Sequence, residues 1–128
     1  AEIMLARLRL SEGQPQAAVQ SLQDYVRRGP SDQFRAPANG LLGAALEHTM
    51  SLSDAANAYE TASEEAWYDF LKAQYLIDAG RVLMAAGDSG RAIAVYRKII
   101  DDLPETDMVV EARLRLGELL KSDIDSNT

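Results

Sequence analysis

Residues 73–104, AQYLIDAGRVLMAAGDSGRAIAVYRKIIDDLP, read as two helices joined by a tight turn, and the rest of the chain repeats them. Leu76, Ala79, Gly80 and Leu83 recur at i, i+3, i+4 and i+7, the spacing of one buried helical stripe. Ala86-Gly87-Asp88 interrupts it: glycine adopts the positive φ of a helix C′ position, and aspartate caps the helix that follows. A second stripe then puts Ala92, Val95, Tyr96, Ile99 and Leu103 on one face, with Arg91, Arg97, Lys98 and Asp101 off it. Pro104 cannot continue that helix and ends it. The unit is a helical hairpin.

The hairpin returns every 37 residues. The small residue of its first helix is Ala6, Gly43, Gly80 and Gly117, each 37 after the last. The second helix carries Ala18, Ala55 and Ala92, with Leu22, Tyr59 and Tyr96 four positions later, and the unit closes at Pro30, Trp67 and Pro104. Helical amphipathicity alone does not require columns in phase at this distance. Small residues let helix axes approach and the large ones fill the space beside them. One hairpin cannot bury both sides of its stripe, so copies stack. The reading is all-α, about three and a half stacked hairpins over residues 1–121, with a polar, disordered tail at 122–128. A long coiled coil is disfavoured because Pro30, Pro104 and the Gly87-Asp88 turn interrupt any heptad run.

Taken in order, the first hairpin spans Glu2–Ser11 and Gln16–Arg27, with a turn at Gly13-Gln14-Pro15. Pro37 makes the start of the third helix doubtful, so that helix is expected from about Asn39, with Ser31 as an upstream cap. The fourth, Ala55–Ala62, is rich in alanine, and the middle hairpin reads as the most thinly packed. Ser63 is read as the N-cap of a long fifth helix reaching Ala85. The last helix, about Glu105–Lys121, is expected to close the stack with charges on its outward face.

Chemistry is scarce. The chain has one histidine, His48, and no cysteine, so a metal centre or a histidine-activated nucleophile has little to build from. No Gly-rich phosphate loop occurs, and acidic neighbours such as Glu64-Glu65 point apart on a helix. Catalytic, cofactor and metal roles are therefore assigned to no residue. A formal charge of −7 argues against nucleic acid and against an anionic membrane surface as partners. No stretch is long enough to span a membrane. The chain opens inside a repeat helix, which leaves room for an upstream anchor.

The columns Ala79-Gly80, Leu83, Ala92, Tyr96 and Pro104 resemble the tetratricopeptide repeat family, although the usual unit is about 34 residues. The first copy departs from the pattern at Ala6, Arg9 and Leu22, and the second has Trp67 for the closing proline. The resemblance implies a right-handed solenoid and a non-enzymatic module that binds a peptide or protein segment, or docks into a larger assembly. The alternative is a permanent structural subunit with no exchangeable ligand. Residues 92–119 are similar in style to repeats of bacterial cell-envelope proteins, including outer-membrane assembly lipoproteins and the translocon accessory subunit. That likeness implies the periplasmic side of the envelope, with the cytoplasm as the next choice.

The register of the family places Ile3, Arg7, Ile77, Arg81, Met84 and Leu114 on the inner face of the first helices. Some members clamp a partner's carboxylate there with Lys, Arg and Asn. Ile3, Gly40, Ile77 and Leu114 lack polar side chains, so an apolar groove is expected, with Arg7 and Arg81 as polar fixtures. Trp67, Tyr68 and Phe70 form the densest aromatic cluster. They either plug the space beneath the middle hairpin or stand exposed as a partner anchor.

Overall fold

The computed structural model describes residues 2–126. Those residues form seven helices: α1 Glu2–Ser11, α2 Pro15–Arg27, α3 Asp32–His48, α4 Leu52–Glu65, α5 Asp69–Ala85, α6 Ser89–Asp102 and α7 Met108–Ser126. Each packs against the helices before and after it, and α1 also meets α3 as α5 meets α7. The second helices of the hairpins start at Pro15, Leu52 and Ser89, and α3 and α5 start at Asp32 and Asp69, in each case 37 residues apart. Three hairpins and a seventh helix thus stack as an all-α repeat solenoid.

The turns repeat as faithfully as the helices. After α5 the amide of Gly87 donates to the Met84 carbonyl (3.0 Å) and that of Asp88 to Leu83 (2.9 Å), a Schellman ending. Gly13 does the same on Leu10, followed by Gln14 on Arg9, and Met50 on Glu47, followed by Ser51 on Leu46. All three central residues have positive φ, +75° at Gly13, +63° at Met50 and +77° at Gly87. A side chain in that region crowds its own backbone, so Met50 carries strain that its two glycine counterparts avoid. Its side chain is exposed and contributes little in return. Met50→Gly should therefore raise stability by about 0.5–1 kcal/mol, the relief exceeding the added freedom of the unfolded chain. Urea midpoints of the two proteins check this.

The small-residue column is where the hairpins close. A β-carbon built on Gly43 would lie 2.8 Å from the Tyr59 ring, and one on Gly80 2.5 Å from that of Tyr96, so the glycines let α3 meet α4 and α5 meet α6. Ala6 and Leu22 are the buried equivalents in the first hairpin. Gly40 similarly receives the Tyr75 ring from α5. Gly117, the last member of the column, has nothing within 4 Å.

Several local expectations are corrected. α3 begins at Asp32 and contains Pro37. The proline deletes one hydrogen bond, to Gln33, in the second turn. The entry is held by Phe34 N–H on the Ser31 carbonyl (2.8 Å) and Arg35 Nε on that of Pro30 (3.0 Å). Ser31 occupies the N-cap position without a capping hydrogen bond from its side chain. Ser63 lies within α4 and caps nothing ahead of it: buried at 4 %, its hydroxyl donates back to the Glu60 carbonyl (2.8 Å). The chain breaks at Ala66–Tyr68 instead, in the column of Pro30 and Pro104. The middle hairpin is not thinly packed, since Ala55, Ala56 and Ala62 are fully buried and Tyr59 nearly so. Alanine here means close helices rather than empty space.

α7 starts at Met108, after a turn in which Thr106 Oγ1 donates to the Leu103 carbonyl (2.9 Å). It buries Val109 and Ala112 and continues through residues 122–126, where composition suggests a disordered tail; Asn127 and Thr128 lie outside the described residues. Its outward face, expected to be charged, exposes Val110 and Ile124.

Candidate interaction surface

The first helices present one continuous side of the stack, and a charged cluster joins two of them. Arg81 on α5 makes a two-pronged contact with Glu47 on α3, Nη1 to Oε2 at 2.5 Å and Nη2 to Oε1 at 2.9 Å. Tyr59 of α4 donates its hydroxyl to the same carboxylate (2.7 Å), and Asp78 lies 3.4 Å from Arg81. The Arg81 hydrogen bond holds the Glu47 carboxyl below its ordinary value of 4.5, against the opposing effect of burial. Burial raises Asp78 despite its arginine. The second helices are tied the same way, Arg91 of α6 reaching Glu60 (2.5 Å) and Asn57 (2.8 Å) of α4. Arg81 is thus committed to the frame of the stack, where the sequence suggested a fixture free for a ligand.

The lowered Glu47 means that its ionised form stabilises the fold above about pH 4.5 and that this contribution fades as pH falls through the folded-state value. Asp78 acts with the opposite sign, since burial favours its neutral form. Glu47→Gln should cost about 1 kcal/mol at pH 7, the scale of a partly exposed charge-assisted contact. The gap from wild type should shrink below pH 4.5 in urea melts run across pH. An equal gap at pH 3 and pH 7 would assign the loss to shape instead.

Beside this cluster a hollow of about 200 Å³ opens between α5, α6 and α7. Ile77, Met84 and Tyr96 give it an apolar floor, and Arg81, Glu111 and Arg115 supply the charged walls. The structure therefore brings together Ile77, Arg81 and Met84 of the residues read from the register. It does not bring Leu114, Arg7 or Ile3 into that hollow: Leu114 is 58 % exposed on α7, and Arg7 and Ile3 lie on α1 at the other end. Ile77 also departs from expectation. The register places it on the inner face of the groove, yet it is only 8 % exposed and packs in the core. Glu111 and Arg115 of α7 and Tyr96 of α6 complete the lining, and none of the three stands among the inner-face positions of the register.

The aromatic cluster stands at the break between α4 and α5. Trp67, Tyr68 and Phe70 are each about 60 % exposed, so they do not plug the middle hairpin. The Tyr68 and Phe70 rings stack with centroids 6.0 Å apart. A second hollow of about 150 Å³ lies here, lined by Ala36, Pro37, Glu65, Trp67, Leu71 and Tyr75. Its wall is fixed by buried Asn39, whose amide donates to Glu65 (2.7 Å) and pins the end of α4 to α3. His48 is exposed, with Nδ1 2.9 Å from the Ala44 carbonyl of its own helix.

The profile of the tetratricopeptide repeat matches residues 3–70 and, overlapping, residues 50–105. No curated protein matches the chain. Three hairpins in a 37-residue register, two of them closed by tyrosine on glycine, and a profile match over most of their length make this chain a member of the tetratricopeptide repeat family, whose repeats serve protein–protein interaction.

Proposed function

We propose that the chain is a non-catalytic interaction module that takes a peptide or protein segment of its partner along the inner side of the first helices. The observation that carries this reading is the hollow between α5, α6 and α7, an apolar floor between opposite charges. An apolar anchor fits the floor, and Arg115 and Glu111 orient polar groups of the segment. Leu114 borders the same side, and Ile3 and Arg7 continue it at α1. Trp67, Tyr68 and Phe70 offer a separate aromatic anchor. The test is Arg115→Glu, which gives up only a 3.4 Å contact with Glu118. Thermal melts should match wild type, while partners captured from the native source should be lost. Unchanged capture would move the binding surface elsewhere.

A permanent place in a larger assembly is the second reading, favoured by apolar side chains exposed on both terminal helices, such as Met4 at 74 % on α1 and Val110 at 77 % on α7. It predicts recovery in a fixed ratio with the same subunits at every salt concentration, whereas an exchangeable ligand dissociates on dilution. The likeness of residues 92–119 to envelope repeats supports the periplasmic side of a bacterial envelope. Among the described residues no helix is long and apolar enough to cross a membrane.

A further inference from the structure

The three breaks between hairpins make an internal comparison. Pro30, Trp67 and Pro104 share one column, and the aromatic neighbours of Trp67 have polar counterparts in both other copies. Tyr68 corresponds to Ser31 and Glu105, and Phe70 to Gln33 and Asp107. The fold therefore makes the same break twice without an aromatic residue. Stacking does not require the three that the middle break leaves exposed. Large apolar side chains left in water beside a hollow mark a contact surface.

The hollow beside them selects the chemistry of its occupant. Ala36 and Leu71, with the rings of Trp67 and Tyr75, make it apolar. Its two charged residues are Asp32 and Glu65, and among the described residues no cation lines it. Asp32 already meets Arg35 (3.4 Å), whose Nε donates to the Pro30 carbonyl. Glu65 is different. It is half-buried, its Oε1 accepts the Asn39 amide (2.7 Å), and it forms no ion pair among the described residues. Lys72 of α5 donates instead to the carbonyls of Ser63 (3.3 Å) and Glu64 (3.5 Å). A carboxylate held by a neutral amide beside an indole matches one kind of side chain. That side chain has an aliphatic stem for the hollow and a planar cation that pairs with the carboxylate and stacks on the ring. We propose that this hollow takes an arginine side chain presented by a segment of a partner protein. The stacked rings of Tyr68 and Phe70 extend the apolar surface past the reach of one side chain, which suits a chain segment, and the net charge of −7 attracts a basic one. The inference rests on reading the aromatic cluster as an anchor and names what it anchors.

Trp67 is the only tryptophan of the chain, so its fluorescence reports this site alone. N-Acetylarginine amide carries the side chain on an uncharged backbone. It is titrated into the intact protein up to about 50 mM and followed by Trp67 emission and by the indole N–H resonance. Saturation with a millimolar constant is expected, the strength of one anchoring side chain. N-Acetylcitrulline amide, of the same shape without the charge, should bind at least fivefold more weakly. The arginine probe should lose as much on Glu65→Gln. That variant keeps an oxygen for the Asn39 amide and should melt like wild type, which separates a lost charge from a damaged fold. Arg115→Glu should leave the titration unchanged, so this site and the inner hollow stand or fall separately. Undiminished binding to Glu65→Gln would overturn the proposal. If no probe binds, the proposal and the anchor reading fall together. If N-acetylleucine amide binds as tightly as the arginine probe, the anchor stands and the proposal alone falls. Free arginine binding more tightly than its capped form would also overturn it, since a small molecule would then be the occupant.

Discussion

Replacing Gly80 by leucine is expected to lower stability by about 2–3 kcal/mol, the upper range for forcing extra atoms into a filled core. Even a bare β-carbon there would stand 2.5 Å from the Tyr96 ring. The ring has little freedom to withdraw, because Tyr96 is only 2 % exposed and its hydroxyl lies 3.4 Å from the Met84 sulfur. The molecule provides a matched control in the same column. Gly117 meets nothing within 4 Å, so Gly117→Leu should be neutral or gain up to about 1 kcal/mol from helix propensity alone. Urea unfolding should thus show a lowered midpoint for Gly80→Leu and an unchanged or raised one for Gly117→Leu. Two equal losses would mean that the cost lies in the leucine and not in the seam.

Ile77→Asp should be more damaging, at about 4 kcal/mol, enough to unfold much of a domain of ordinary stability. Ile77 is 8 % exposed among core side chains, so its removal forfeits packing and leaves a carboxylate beside apolar neighbours and near Asp78. Ile77→Val, which keeps the shape, should cost about 1 kcal/mol. Circular dichroism with urea melts distinguishes the cases. A folded Ile77→Asp protein with an unchanged midpoint would show that the side chain reaches water through the hollow, as the register alone suggested.

The contrast between these two positions shows what a repeat register conveys. A 37-residue period read from Ala6, Gly43, Gly80 and Gly117 places the hairpins and their turns, because each helix repeats the same contacts with its neighbours. Where a local signal competed with that register, the register prevailed. Ser63 carries the composition of a helix cap, but the break falls at the column of Pro30 and Pro104, since stacking aligns equivalent turns and one hydroxyl cannot shift them. Met50 occupies a left-handed turn that composition would give to glycine, held there by the same Schellman hydrogen bonds as Gly13 and Gly87.

Surfaces were less legible. Ile77 and Leu114 share a column, yet one is core and the other faces solvent, because burial depends on what lies next along the stack. Arg81 offered itself as a free cation until Glu47, Tyr59 and Asp78 gathered around it from three helices. Trp67, Tyr68 and Phe70 looked equally suited to filling the middle hairpin or to standing outside it, and the buried alanines of α4 left them no space to fill. The sequence by itself determined the helices, their phase and the glycine–tyrosine seam, since these follow from residue size and spacing repeated within one chain. Only the tertiary structure decided which members of a column are covered, which charges are already paired and where a hollow opens, because those depend on neighbours that the period does not encode.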